Sequence, residues 1–293
     1  MFTVPELAAE ALCSFLAADM SRRFGSIRAG LIERTSTAAQ LALECIGDSD
    51  ALYHNVEHTM LVTLAGYDIM KGRSLLRPTL ASDCAHVIVA CLFHDIGYVR
   101  GILNGDDAEC YVIDANGKTV ELPRGSSDAA LLPYRVDRSK LYVLNRFAGH
   151  DLIDAKRIAD VIEYTRFPLP AGRDNTGNEE GGLVLAADLI GQIADPHYLR
   201  KTNALWREFK EAGVDKQLGL TSPADLTNLY PQFYWESISP HIQVAIRYLN
   251  ITSSGRLWLA GLYSNVFRAK RDPELCEPQL AGANLQRAVR LPL

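Results

Sequence analysis

The chain has 293 residues and a formal charge of −5. That length buries a sizeable core, and the mildly acidic balance excludes broad binding to nucleic acid or to anionic membranes through net charge. Hydrophobic residues make up 48%, yet no apolar run reaches the roughly 18 residues that would span a bilayer.

Residues 3–24 are predicted as an amphipathic helix with Leu7, Ala11, Leu12, Phe15 and Leu16 on one face. No basic stretch followed by an apolar core opens the chain, so no secretory signal is expected. Six cysteines (Cys13, Cys45, Cys84, Cys91, Cys110 and Cys276) are scattered without a C-x-x-C pair, which suits a reducing cytoplasm. Residues 37–46 form a second, short helix. Gly47-Asp48-Ser49-Asp50 breaks it and offers a cap to the next.

Tyr53-His54-Asn55-Val56-Glu57-His58-Thr59 opens a pattern that continues through Leu61, Val62, Leu64 and Ala65 toward Met70. On a helix, His54 and His58 would share one face, a turn apart. The next pattern is almost wholly apolar from Val87 to Phe93 and ends in His94-Asp95-Ile96-Gly97. Ser82 or Asp83 can cap its start and Gly97 can end it. His86, Cys84 and Cys91 in that helix read as core residues. A lone histidine on an apolar face is more often a hydrogen-bonded core residue than a ligand. Two such pieces together need a further reason, and a metal ion is the best one.

After the His-Asp pair the chain turns polar and irregular from Gly101 to Arg138. Inside it, Asn116-Gly117 lies between β-rich runs at 111–114 and 119–122 and predicts a hairpin. This insertion, over 104–135, either borders the site or decorates the surface. Arg135 and Arg138 read as surface ion-pairing residues that could also meet a phosphate. Helices are predicted to resume at Lys140, with Ile158, Val161, Ile162 and Thr165 on one face. Residues 170–180 form a loop. Asp188 is the one acid in an apolar helical run, and Gln192 lies one turn beyond it. His197 is expected to be exposed. A helix from Leu199 to Ala212 buries Leu205, Trp206 and Phe209. An aromatic stretch from Asn228 to Glu236 leads into a further helix, and the tail from Asp272 is expected to be extended.

Taken together, Tyr-His-Asn-x-x-His-Thr at 53–59, His-Asp-Ile-Gly at 94–97 and Asp188 resemble the HD-domain metal-dependent phosphohydrolases. Within them, the first motif is similar to the signature of the cyclic-nucleotide phosphodiesterases. The resemblance spans residues 50–245. It implies an all-α helical bundle with a small β-hairpin insertion, a single domain over 1–293 with its core at 35–270. It implies His58, His94, Asp95 and Asp188 as metal ligands, with Asp95 bridging two divalent ions: Zn, Fe, Mn or Ni at the tighter site, Mg or Mn at the looser. His54 would protonate the leaving oxygen, with Glu57 or Asp188 orienting the imidazoles. Tyr53, Asn55, Thr165, Gln192 and Phe233 fall toward the substrate, and His150 is a candidate extra ligand. Aligning Pro240 puts Phe233 at the base-clamp position, but Tyr230 where a glutamine is expected, with Gln232 off register. Tyr98 stands near where the mammalian-type enzymes carry another histidine.

The implied activity is hydrolysis of a phosphodiester or small nucleotide by a metal-activated water. Two alternatives stand beside it: a di-iron oxygenase of the HD type, which needs more histidine ligands, and a non-catalytic module that binds metal or nucleotide. The implied partner is a small phosphoester, with neither nucleic acid nor membrane. The chain would be a monomer or a homodimer.

Overall fold

The computed structural model describes residues 3–25, 28–167 and 179–271. Most of the expected loop at 170–180, the tail from Asp272 and Cys276 lie outside them. The fold is all-α, with one two-stranded sheet among the described residues.

Helix α1 (Val4–Phe24) opens at Thr3, whose hydroxyl accepts the Glu6 N–H while Glu6 accepts the Thr3 N–H. It buries Ala9, Leu12, Leu16 and Met20; Leu7 and Phe15, expected on that face, are largely exposed. α2 (Ala29–Gly47) packs on α1 and starts well upstream of the predicted Thr37. Thr35 and Thr37 are accommodated because their hydroxyls donate to the Leu31 and Glu33 carbonyls one turn back.

α3 (Val56–Leu76) begins later than the sequence suggests. Asn55 is its cap: Oδ1 accepts the N–H groups of Glu57 and His58 at 3.0 and 3.3 Å. His54 therefore precedes the helix instead of riding on it. α4 (Ala81–Phe93) is buried along nearly its whole length. Asp83 caps it by accepting the Leu80 N–H at 3.0 Å. Gly97 does not end it. The helix stops at Phe93, and Gly97 lies in a 3-10 turn, Ile96–Tyr98, where a Cβ would sit 2.0 Å from the Arg135 carbonyl oxygen.

The insertion carries strands β1 (Cys110–Val112) and β2 (Thr119–Glu121), paired antiparallel with Tyr111 opposite Val120. Gly117 takes a φ of +77°, as the tight turn requires. Arg138 is fully buried, correcting its reading as a surface residue. Its guanidinium donates to the carbonyls of Gly97, Val99 and Val112 and to Asp106 at 2.6–3.1 Å. It fastens the hairpin to the segment that follows Asp95.

Beyond the insertion come α5 (Arg135–Arg146), which starts ahead of the predicted Lys140, and α6 (Ala155–Ile162). α7 (Glu179–Ile193) and α8 (Tyr198–Glu211) follow, then the short α9 (Val214–Leu218), α10 (Pro223–Asn228) and α11 (Tyr230–Phe233). α11 passes through a wide turn at Tyr234–Ile238 into α12 (Ser239–Leu249), and α13 (Ser253–Arg271) closes the described chain. Among the described residues, no helix is long and apolar enough to cross a membrane. The described cysteines are free thiols.

α3 packs against both α4 and α7. Two glycines bring these helices close. A Cβ on Gly66 would lie 2.7 Å from Cys91 Sγ, and one on Gly191 would lie 2.8 Å from the Val62 backbone. The candidate site sits where these three helices meet.

Candidate metal centre

Four side chains from separate stretches converge: His58 from α3, His94 and Asp95 from the end of α4, and Asp188 from α7. His58 Nε2 lies 3.4 Å from Asp95 Oδ2 and 3.5 Å from Asp188 Oδ1. His94 Nε2 lies 3.1 Å and 3.6 Å from the same two oxygens. Both Nε2 atoms are buried and hydrogen-bonded to nothing, although two carboxylates lie within ion-pair distance. Donors bound at about 2.0–2.2 Å to one first-row ion stand roughly 3.0–3.5 Å from each other. The spacing fits ligands around a common cation better than it fits imidazole–carboxylate hydrogen bonds. His94 Nδ1 is 2.8 Å from the Cys91 carbonyl. Donating there leaves the lone pair on Nε2, toward the cluster.

The electrostatics agree. Burial pulls both imidazoles down, but the adjacent carboxylates outweigh it, raising His58 and raising His94 to about 10. Burial works against the carboxylates too. His94 and Arg135 nonetheless hold Asp95 well below the ordinary range, and His58 and His94 lower Asp188. A divalent ion held here would compete with protons for the imidazoles.

Arg135 is buried and donates to Asp95 Oδ1 at 2.8 Å, so it is no surface residue. Its other amino group donates to the Thr165 carbonyl at 2.6 Å. Thr165, a substrate-side candidate, is thus buried behind the centre as an anchor for Arg135. The sequence held no spacing signal for this contact, which spans 40 residues.

The ligand atoms of His58, His94 and Asp188 form one group lying within 4.8 Å of one another, and His54 joins His58 and Asp95 in a second. His54 stacks on Tyr98 with ring centroids 4.6 Å apart. Its Nδ1 lies 2.5 Å from Glu208 Oε2, while Glu208 Oε1 accepts the Tyr53 and His54 N–H groups. Burial alone would raise the Glu208 carboxyl, but His54 and these N–H donors lower it. Neither Glu57 nor Asp188 orients His54. Glu57 is exposed and pairs with Lys201 at 2.8 Å. Glu208 was missed, though an acid beside Leu205 and Phe209 on a buried helix face was a visible signal.

Other candidates fall elsewhere. Asn55 spends its side chain as the α3 cap. Tyr53 is buried, its ring 5.4 Å from that of His58. Gln192 hydrogen-bonds Tyr198. Phe233 meets Phe167 edge-on at 6.5 Å and packs on the core. His150 joins none of the metal-capable groups among the described residues; its Nδ1 accepts the Leu152 N–H instead. A third group, Glu57, Asp195 and His197, already holds the Lys201 ammonium, 2.6 Å from Asp195. His197 is exposed, as expected.

A cavity of about 270 Å³ is lined by Leu132, Arg135, Arg166, Phe167 and Gln217, among others. It shares only Arg135 with the centre. The cluster itself opens at Asp188 and His54, whose side chains are 16% and 10% exposed, against 0% for His94.

Fold and site together define a helical protein whose core gathers histidine and aspartate groups that could hold a metal ion. The chain belongs to the Npun_R2479-like family, whose model matches residues 2–272. No curated protein and no solved structure matches it.

Proposed function

We propose that this protein is a metal-dependent phosphohydrolase of the HD type, acting on a phosphodiester or small nucleotide. One observation carries the reading: two buried imidazole nitrogens that make no hydrogen bond yet each lie 3.1–3.6 Å from two carboxylates, with a third imidazole held beside them by a buried glutamate. His58, His94, Asp95 and Asp188 would hold the ion, and two nitrogens with two oxygens suit Zn, Fe, Mn or Ni. Such an ion supplies Lewis acidity and lowers the pKa of a coordinated water toward neutrality.

The chain's own residues do the rest. His54 Nδ1 faces Glu208, which leaves its other nitrogen for a proton transferred to the departing alkoxide. Tyr98 fixes the ring plane by stacking. Arg135 keeps Asp95 ionised and turned toward the cluster. The position of His150 outside the cluster favours hydrolysis over the histidine-rich di-iron oxygenase.

The test is a hydrolysis screen over cyclic nucleotides, nucleoside phosphates and simple phosphodiesters, with Mn²⁺, Zn²⁺, Fe²⁺ and Ni²⁺ varied. Turnover that a chelator abolishes and the metal restores is expected. A metal-loaded protein with no turnover on any phosphoester would sink the reading in favour of a binding module.

A further inference from the structure

The two oxygens of Asp95 have different neighbours. Oδ2 faces His58 and His94, at 3.4 and 3.1 Å. Oδ1 faces Arg135 Nη1, at 2.8 Å. A carboxylate that bridges two cations in the common two-oxygen mode presents one oxygen to each. We infer that Arg135 stands where a second ion would bridge, so the centre takes one divalent ion and a guanidinium supplies the other positive charge. This rests on the metal centre proposed above and departs from the two-ion arrangement that the motifs imply.

The Arg135 guanidinium is held by Thr165 as well as by Asp95. Nη2 donates to the Thr165 carbonyl at 2.6 Å, and Nη1 lies 3.5 Å from Thr165 Oγ1. That hydroxyl is itself fixed on the Ile162 carbonyl at 2.9 Å. The Arg135 backbone presses on Gly97, where even a Cβ would meet its carbonyl oxygen. Ser139, one turn along α5, accepts the Gly97 N–H and donates to the His94 carbonyl, both at 2.9 Å. These bonds fix the α5 backbone against the Asp95 turn; the guanidinium itself is fixed by Asp95 and Thr165.

A second ion bridged by Asp95 would have few protein ligands and would be held mostly by water, so the Arg135 charge decides whether it binds. Among the described residues, the metal-capable group that overlaps the four donors adds only a ring nitrogen of His54, whose other nitrogen is committed to Glu208. Charge points the same way. One divalent ion and Arg135 already exceed the charge of the two carboxylates, and a second dication at Asp95 Oδ1 would sit against a buried guanidinium where repulsion is weakly screened.

The full chain is dialysed to equilibrium against excess Mn²⁺, bound metal is counted by mass spectrometry, and the electron paramagnetic resonance spectrum is recorded. Wild type is expected to bind one Mn²⁺ per chain with the hyperfine signal of an isolated ion, and Arg135→Ala to bind more than one. Two Mn²⁺ per wild-type chain with an exchange-coupled signal overturns the inference while leaving the metal centre standing. An Arg135→Ala protein that still binds only one overturns the role given to Arg135. Retention of neither Mn²⁺ nor Zn²⁺ by wild type removes the metal centre itself, and this inference with it. Should Arg135→Ala not fold, Arg135→Lys keeps the charge and is expected to stay at one ion; two would overturn the inference.

Discussion

Glu208 Oε2 lies 2.5 Å from His54 Nδ1, and Glu208 Oε1 accepts the Tyr53 N–H at 2.6 Å. One buried carboxylate thus fixes both the imidazole and the backbone that carries it. If His54 delivers a proton, Glu208→Gln should lower kcat roughly 10–100-fold with metal content unchanged. His54→Ala should also keep the metal. In both, the loss should be steeper for alkoxide leaving groups than for p-nitrophenolate. Equal losses on the two would remove the proton-donor role.

Asp95→Asn and Asp188→Asn should each strip the ion and abolish hydrolysis while the helical circular dichroism persists. Binding linkage gives a second readout: wild type at 100 times Kd gains about 2.7 kcal/mol of stability from the ion. The Asp188→Asn protein should gain almost none. A thermal shift with Mn²⁺ equal to that of wild type would contradict the ligand assignment.

Gly191→Ala places a methyl 2.8 Å from the Val62 backbone. Backbone cannot yield as a side-chain tip can, so α7 must move away from α3, carrying Asp188 from His58. A loss of about 1–3 kcal/mol by urea denaturation is expected, together with weaker metal binding. Gly30→Ala is the control: its Cβ would meet only Leu152, at an ordinary 3.5 Å. There the change should be neutral, or stabilising by up to about 1 kcal/mol.

Glu163 tests pH dependence away from the metal. Burial works to raise its pKa, but hydrogen bonds from Arg166 and Lys140 prevail and lower it from 4.5 to about 2. A depressed carboxylate contributes stability that is fully present above its unfolded value and lost as pH falls through its folded value. The stability gap between wild type and Glu163→Gln should therefore hold at neutral pH and close between about 4.5 and 2. A gap that widens on acidification would contradict the assignment.

The four converging residues were legible because each stands out locally: a histidine or acid interrupting an apolar helical run, at motif spacing. Their supports were not. Arg135 follows Pro133-Tyr134 in a polar insertion and reads as exposed; only the tertiary approach of α5 to Gly97 buries it. Gly97 looked like a helix stop, because a glycine after an apolar run usually is one; its actual reason is the carbonyl pressed against it. His54 lies just ahead of the helix, because Asn55, within the same motif, takes the cap and leaves His54 outside. The upstream half of α2 was hidden by Thr35 and Thr37, whose hydroxyls find partners only once the helix exists.

Helix α8 holds two grips one turn apart. Glu208 grips His54, and Glu211 binds the insertion by accepting the N–H and the hydroxyl of Ser127, each at 2.5 Å. The helix therefore works as a lever between loop and acid. Under the proposed hydrolysis, a change at Ser127 is expected to reach the leaving-group proton through α8 while His58, His94, Asp95 and Asp188 stay in place.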